Sequence, residues 1–193
     1  MPMAIPKSVA ALAVIVALLG SGCTQPDPNA APTYTCTPSG GGTPAPCYKA
    51  EYDQQVKEDA LYAEAEVVYR KFVAEDDRIW RAGGLDEPTP ALLEVATGDF
   101  LEDSMNIYRA LKETKTKMVG GSTTTAWLKR APDKATPDSL VTLEDCRDAS
   151  TARLVAPAED AISAGYTSDV LHFARDQGHL KISSALGDVV AKC

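Results

Sequence analysis

The chain is poor in the residues on which most metal and hydrolytic chemistry depends. Its 193 residues hold two histidines, His172 and His179, and no Cys-x-x-Cys. Zinc sites draw three or four ligands from short recurring spacings. No carboxylate or thiolate stands beside the histidines at such a spacing, so they read as one half-buried and one solvated ring, and no metal site is assigned. There is no Gly-x-Ser-x-Gly elbow and no Gly-x-x-x-x-Gly-Lys phosphate loop. Gly120-Gly121-Ser122-Thr123 has glycine without the lysine and reads as a break in a strand. No catalytic residue and no cofactor follows from any motif. Cationic charge is scarce too. Lys and Arg number 19 against 27 Asp and Glu, a formal charge of −8. Phosphate backbones are held by clustered Lys and Arg, so nucleic acid is excluded as a partner. Nor does an anionic membrane surface attract such a chain. The apolar run Ser8 to Leu19 falls short of the roughly 20 residues that span a bilayer. No internal repeat is present.

What is there begins with an export pattern. Lys7 precedes the uncharged run, which ends in Gly20-Ser21-Gly22-Cys23. A cation, a short apolar core and small residues before a cleavage point define a signal peptide. Residues 1–22 are therefore expected to be removed. The segment resembles the bacterial lipobox, in which the cysteine is lipidated and becomes the new N-terminus. Gly20 stands where Leu, Val or Ile is usual, with Leu19 one place earlier. The resemblance implies palmitate and related lipid on Cys23, and attachment to the outer face of the cytoplasmic membrane. Cleavage removes Lys7 and no acid, moving the formal charge to about −9.

The five cysteines are Cys23, Cys36, Cys47, Cys146 and Cys193. An odd count leaves one unpaired in an exported chain. Lipidation of Cys23 leaves four, which allow three pairings. Cys36–Cys47 with Cys146–Cys193 is favoured. The first closes a short loop around Gly40-Gly41-Gly42, and the second ties the last residue to a predicted strand.

Residues 23–50 carry six prolines and the triple glycine without an apolar period, and read as a tether stapled by one small disulfide loop. Residues 51–193 have the length of one domain. Glu51 to Ala82 is predicted helical, with Leu61, Ala65, Val68, Phe72 and Ile79 on one face and Tyr69 and Val73 on its margin. Glu75-Asp76-Asp77 with Arg78 reads as a solvated face of that helix, because a calcium loop would alternate its ligands around a glycine turn. A short helix opens at Thr89-Pro90. A third runs from about Asp99 to Lys117, with Leu101, Met105, Tyr108 and Leu111 in helical register, acids at its start and lysines at its end. Val119 to Lys129, Leu140 to Cys146, Thr151 to Ala156, Tyr166 to Ala174 and His179 to Ala185 read as strands. Arg147-Asp148-Ala149-Ser150 reads as a polar turn joining two of them. Asp176-Gln177-Gly178 reads as a three-residue hairpin loop.

Helices followed by antiparallel strands define an α+β domain with helices packed on a curved antiparallel sheet. The order resembles the cone-shaped nuclear-transport-factor-like fold, also seen in SnoaL-like proteins; a cystatin-like domain is a related shape. Thr35-Cys36-Thr37-Pro38 to Pro46-Cys47, the helix around Tyr62 to Tyr69, and Cys146 with Cys193 also resemble a group of small actinobacterial lipoproteins of unknown role. Enzymes on the cone fold place an Asp, His or Tyr in the cavity. That resemblance implies Tyr69, Asp103, Tyr108, Trp127, Asp169 and His172 as cavity residues to examine. Periodicity alone accounts for Tyr69, Tyr108 and Trp127 as core aromatics, and Asp103 and Asp169 read as solvated. The expected function is a lipid-tethered, non-enzymatic binding or interaction module, with the membrane as partner and an envelope protein as a further candidate. One alternative is a small-molecule binder or enzyme using the cone cavity. Another is a prophage or mobile-element lipoprotein that blocks entry of a second phage.

Overall fold

A computed structural model describes residues 32–193. The expected signal peptide, residues 1–22, and Cys23 lie outside the described residues. The described chain is mixed α+β, with antiparallel sheets and three α-helices. It opens with a hairpin, β1 (Tyr34–Cys36) and β2 (Ala45–Cys47), closed by the Cys36–Cys47 disulfide. The hairpin belongs to the domain and not to a free tether. Tyr34 stacks on Tyr52 with centroids 5.0 Å apart, and the Thr37 amide donates to Gln55 Oε1 at 2.9 Å. Folded structure thus begins before the expected boundary at Glu51.

Helix α1 (Lys49–Ala82) is one unbroken element of 34 residues, roughly 50 Å long at 1.5 Å per residue. It ends where Gly83 takes the left-handed conformation and its amide caps Trp80. The buried stripe is Tyr62, Ala65, Tyr69, Phe72, Asp76 and Ile79. The three- and four-residue spacing is that expected of a packed helix. It is rotated from the predicted face, so Tyr69 lies at its centre and Leu61, Val68 and Val73 at its edges. Helix α2 (Pro90–Val95) is capped by the Thr89 hydroxyl, which accepts from the Leu92 amide at 3.1 Å. Helix α3 (Gly98–Thr114) stops earlier than expected, because Lys115 turns left-handed and the Thr116 amide bonds back to Leu111.

The expected single strand from Val119 to Lys129 is two strands, β3 (Lys117–Gly120) and β4 (Thr124–Arg130). They join different sheets. The chain turns between them at Gly121, which lies so close to Thr151 that a Cβ would sit 2.2 Å from its Oγ1. Strand β5 (Val141–Asp148) continues through Arg147, the residue expected in a turn. It pairs with β4 and with β8 (Tyr166–Asp176), and β8 pairs with β9 (His179–Val190), giving the order β4-β5-β8-β9. Strand β6 (Ala152–Val155) forms no hairpin with β5. It pairs with β3 and with β7 (Ile162–Ser163) in a three-stranded sheet. The β8–β9 loop has two residues, not three, because Asp176 pairs with His179. Both Gln177 (φ 51°) and Gly178 (φ 86°) are left-handed, as a tight hairpin turn requires.

The core lies between the helices and one face of the four-stranded sheet. Tyr62, Tyr69, Phe72 and Ile79 of α1 meet Leu143 of β5, Leu171 and Phe173 of β8, and Ile182 of β9. The second disulfide, Cys146–Cys193, joins the end of the chain to β5. Among the described residues no helix is long and apolar enough to cross a membrane.

Candidate functional site: a charged cluster in the wall of a cavity

The pairing register builds the site row by row. Leu143 of β5 lies opposite Leu171 of β8, which lies opposite Ala185 of β9. The next row is Asp145, Asp169 and Gly187, and the next is Arg147, Thr167 and Val189. Side chains two apart on a strand share a face, so all three rows look toward the helices. Two aspartates directly opposite each other repel. Arg147 answers them from the adjacent row: its Nη2 donates to Asp169 Oδ2 at 2.6 Å, and its Nε lies 3.5 Å from Asp145 Oδ2. The Asp169 amide also donates to Asp145 Oδ1 at 3.0 Å. A Cβ on Gly187 would sit 1.8 Å from Asp169 Oδ1, so only glycine lets that carboxylate lie across β9 toward Arg147.

The helices complete the cluster. Asp76, on the buried stripe of α1, accepts from Arg147 Nη1 at 3.0 Å, from the Tyr108 hydroxyl at 2.8 Å and from Trp80 Nε1 at 3.0 Å. The Tyr69 hydroxyl donates to Asp145 Oδ2 at 2.6 Å and lies 3.0 Å from Thr125 Oγ1. Phe72 places its ring 5.9 Å from the guanidinium carbon. One arginine thus neutralises part of three largely buried carboxylates, and Tyr69, Tyr108, Trp80 and the Asp169 amide supply further hydrogen bonds to Asp145 and Asp76. Arg147 Nε alone has no hydrogen-bond partner.

This burial sets the protonation. Desolvation pushes Asp76 above the ordinary carboxylate range, against the pull of Arg147 and its hydrogen-bond donors. Desolvation also raises Asp145, helped by the neighbouring Asp169. Burial works against the Arg147 charge, but Asp76, Asp169 and Asp145 outweigh it and hold the guanidinium protonated. Tyr69 and Tyr108 are raised by burial and by the carboxylates they donate to, so both stay as neutral donors.

A pH dependence follows. A carboxyl whose folded pKa lies above its unfolded value binds protons more readily when folded. Its contribution to stability therefore falls as pH rises above about 4, the ordinary Asp value. Relative to wild type, Asp145→Asn should become progressively less destabilising as pH rises above about 4. Urea unfolding at several pH values measures this. A pH-independent difference between the two proteins would contradict the assignment. Glu144, depressed by its hydrogen bonds to Lys134 and Lys129, acts oppositely, and its contribution is lost as pH falls through the acid range.

The cluster forms part of the wall of a cavity of about 420 Å³ between α1, α3 and the sheet. Phe72, Trp80, Phe100 and Leu171 supply apolar wall, and Asp103 and Ser104 supply further polar groups. A second cavity, of about 340 Å³, shares Asp76, Trp80, Ile107, Arg147, Thr167 and Val189 with the first and extends over Met118 and Leu154. The exposed side chains of Ile107 (50%) and Val189 (83%) border both.

The residues selected from sequence divide. Tyr108, Asp103 and Asp169 line the larger cavity. Tyr69 stands behind its wall, bonded to Asp145. Trp127 lines neither cavity. A bulge between Thr125 and Trp127 puts it opposite Cys146, on the far face of the sheet, where Lys129 covers its ring. His172 also lines neither. It pairs with Thr142 on the far face, its Nδ1 3.2 Å from Thr142 Oγ1, and burial lowers its pKa. His179 is exposed at the start of β9. Asp76 is buried in the cluster, which corrects the reading of Glu75-Asp76-Asp77 as wholly solvated. Asp169 is mostly buried as well. Among the described residues no group of three or more His, Cys, Asp or Glu is arranged to hold a metal ion.

The class defined here is an α+β domain with an ion cluster built into the wall of an open cavity. No family model and no curated protein matches the chain. A solved structure, that of the intermembrane space region of the chloroplast protein ARC6, aligns with 65% of this chain and 95% of its own at 14% identity and a TM-score of 0.44. That likeness is too loose to carry any property across.

Proposed function

We propose that this protein is an exported lipoprotein whose domain, of the cone-like kind, is a non-enzymatic binding module that receives a small amphipathic molecule in its cavity. The observation that carries the reading is the cavity of about 420 Å³, in which aromatic and aliphatic walls meet a few fixed polar groups. The Asp76 and Asp145 carboxylates are already engaged by tyrosine, tryptophan, arginine and amide donors. A general acid or base must instead reach the proton of a bound molecule, which favours binding over turnover. A cavity enzyme remains the second reading, favoured by the raised pKa of Asp145 in the wall.

The export and anchor reading rests on the Lys7-to-Cys23 pattern and on parity. Cys36 pairs with Cys47 and Cys146 with Cys193, so Cys23 is the one cysteine left over. In this reading the lipid on Cys23 holds the domain at the outer face of the cytoplasmic membrane, within reach of ligands and of envelope proteins.

Two measurements test the proposal. The Cys23→Ser chain should leave the membrane fraction, and its persistence there would overturn the anchor. An environment-sensitive apolar dye should bind that soluble chain saturably and lose at least about tenfold in affinity in Ala185→Phe, which fills the wall; a tenfold loss is about 1.4 kcal/mol. Absence of saturable binding to the unfilled chain would overturn the ligand-binding reading. Chemical conversion of a recovered ligand would favour the enzyme.

A further inference from the structure

We infer that the cavity selects an organic cation: a molecule with an ammonium or amidinium head and an apolar body. The inference rests on the ligand-binding reading above and names its ligand class.

The wall decides between ligand charges. Four aspartates present their carboxylates to the larger cavity, Asp76, Asp103, Asp145 and Asp169, and the single basic side chain among its lining residues is Arg147. The Arg147 guanidinium is already shared among Asp76, Asp145 and Asp169. It has no charge to spare for an anion. Protonation of both Asp76 and Asp145 would still leave two carboxylates, Asp103 and Asp169, against one arginine. A cleft with low-dielectric walls and one dominant sign concentrates the opposite ion. An anion entering here meets net repulsion, and a neutral molecule gains nothing from the field.

Position adds to charge. Asp103 on α3 is exposed and stands beside the opening, on an element that packs against β9. Within lies aromatic surface. Phe72 and Phe100 meet edge to face with centroids 4.9 Å apart, and Trp80 and Tyr108 stand in the same wall. Aromatic faces attract cations that have shed part of their water, quaternary ammonium above all. Ile107 and Val189 at the border give an apolar body a surface to lie on.

The test uses the soluble Cys23→Ser chain and three probes of one shape: benzyltrimethylammonium, benzylsulfonate and benzyl alcohol. Calorimetric titration at low salt should give at least about tenfold tighter binding for the cation than for either of the others. Raising the salt to about 0.5 M, where the screening length falls to a few ångströms, should weaken the cation several-fold. Asp103→Asn should weaken it several-fold at low salt without changing the urea midpoint, because that side chain is exposed. Equal or tighter binding of benzylsulfonate or benzyl alcohol overturns the cation inference and leaves the ligand-binding reading standing. So does a failure of all three probes while the apolar dye still binds. Failure of the dye as well removes both. An unchanged cation affinity in Asp103→Asn also overturns the inference.

Discussion

Arg147→Met should be among the most damaging single replacements in the domain, lowering unfolding free energy by about 3–5 kcal/mol, the usual cost of leaving a buried charge without its partner. The size comes from what is left behind. Asp145 and Asp169 face each other across β5 and β8, and Asp76 descends on them from α1. Without the guanidinium, three carboxylates share a poorly solvated space. They must take up protons, draw in water or move apart. Arg147→Lys should fall between, since an ammonium keeps the charge but cannot fork to Asp76 and Asp169 together. The decisive companion is Arg147→Met combined with Asp76→Asn, Asp145→Asn and Asp169→Asn. With the uncompensated charges gone, the combined variant should recover a large part of the loss. Urea unfolding of the series measures both effects. An Arg147→Met protein as stable as wild type would show that water, not arginine, satisfies the carboxylates.

That cluster also marks how far the sequence could be read. The α+β class, the three helices and most strands follow from local periodicity and capping, because those signals are local: Thr89-Pro90 opens α2 and Gly83 closes α1. The stripe on α1 was legible in period but not in phase. Both Leu61-Ala65-Val68-Phe72 and Tyr62-Ala65-Tyr69-Phe72 run at helical spacing, and hydrophobicity favours the first. The structure uses the second, because Tyr62 and Tyr69 can bury their rings while their hydroxyls find partners. Asp76 continues that second stripe between Phe72 and Ile79, so a charged residue at a core position was the available signal. Its partner Arg147 lies 71 positions away, and no local pattern connects the two. Read alone, Arg147-Asp148-Ala149-Ser150 is polar and turn-like; an arginine becomes a strand residue only when carboxylates from other elements surround it. The misplacement of Trp127 has a similarly small cause. One bulge in β4 reverses the alternation after Thr125 and turns the ring to the other face.

The two disulfides should differ in what they protect. Constraint of the unfolded chain grows with the loop closed, and the separations are 11 residues for Cys36–Cys47 and 47 for Cys146–Cys193. Chain entropy alone gives roughly 3 and roughly 4 kcal/mol. Location widens the difference. Cys146 sits on β5 between Asp145 and Arg147, facing away from the cavity, and its partner follows the end of β9. β9 is an edge strand; the Thr97 amide bonds its outer edge at Ile182, but beyond that point only β8 pairs with it, and its last residues carry Gly187 and Val189 into the cavity wall. Without the bridge that edge is free to fray, and Asp169 loses the backbone against which it lies. Replacing Cys146 and Cys193 together by alanine should therefore cost stability and also weaken dye and cation binding. The Cys36→Ala, Cys47→Ala pair should cost less stability and leave binding intact, because its hairpin packs near the start of α1, at Tyr52 and Gln55, away from the cavity. Urea unfolding and dye titration on both pairs measure this. Equal effects on binding would mean that the cavity wall does not depend on the anchored end of β9, and that the Asp169–Arg147 contact holds the strand without covalent help.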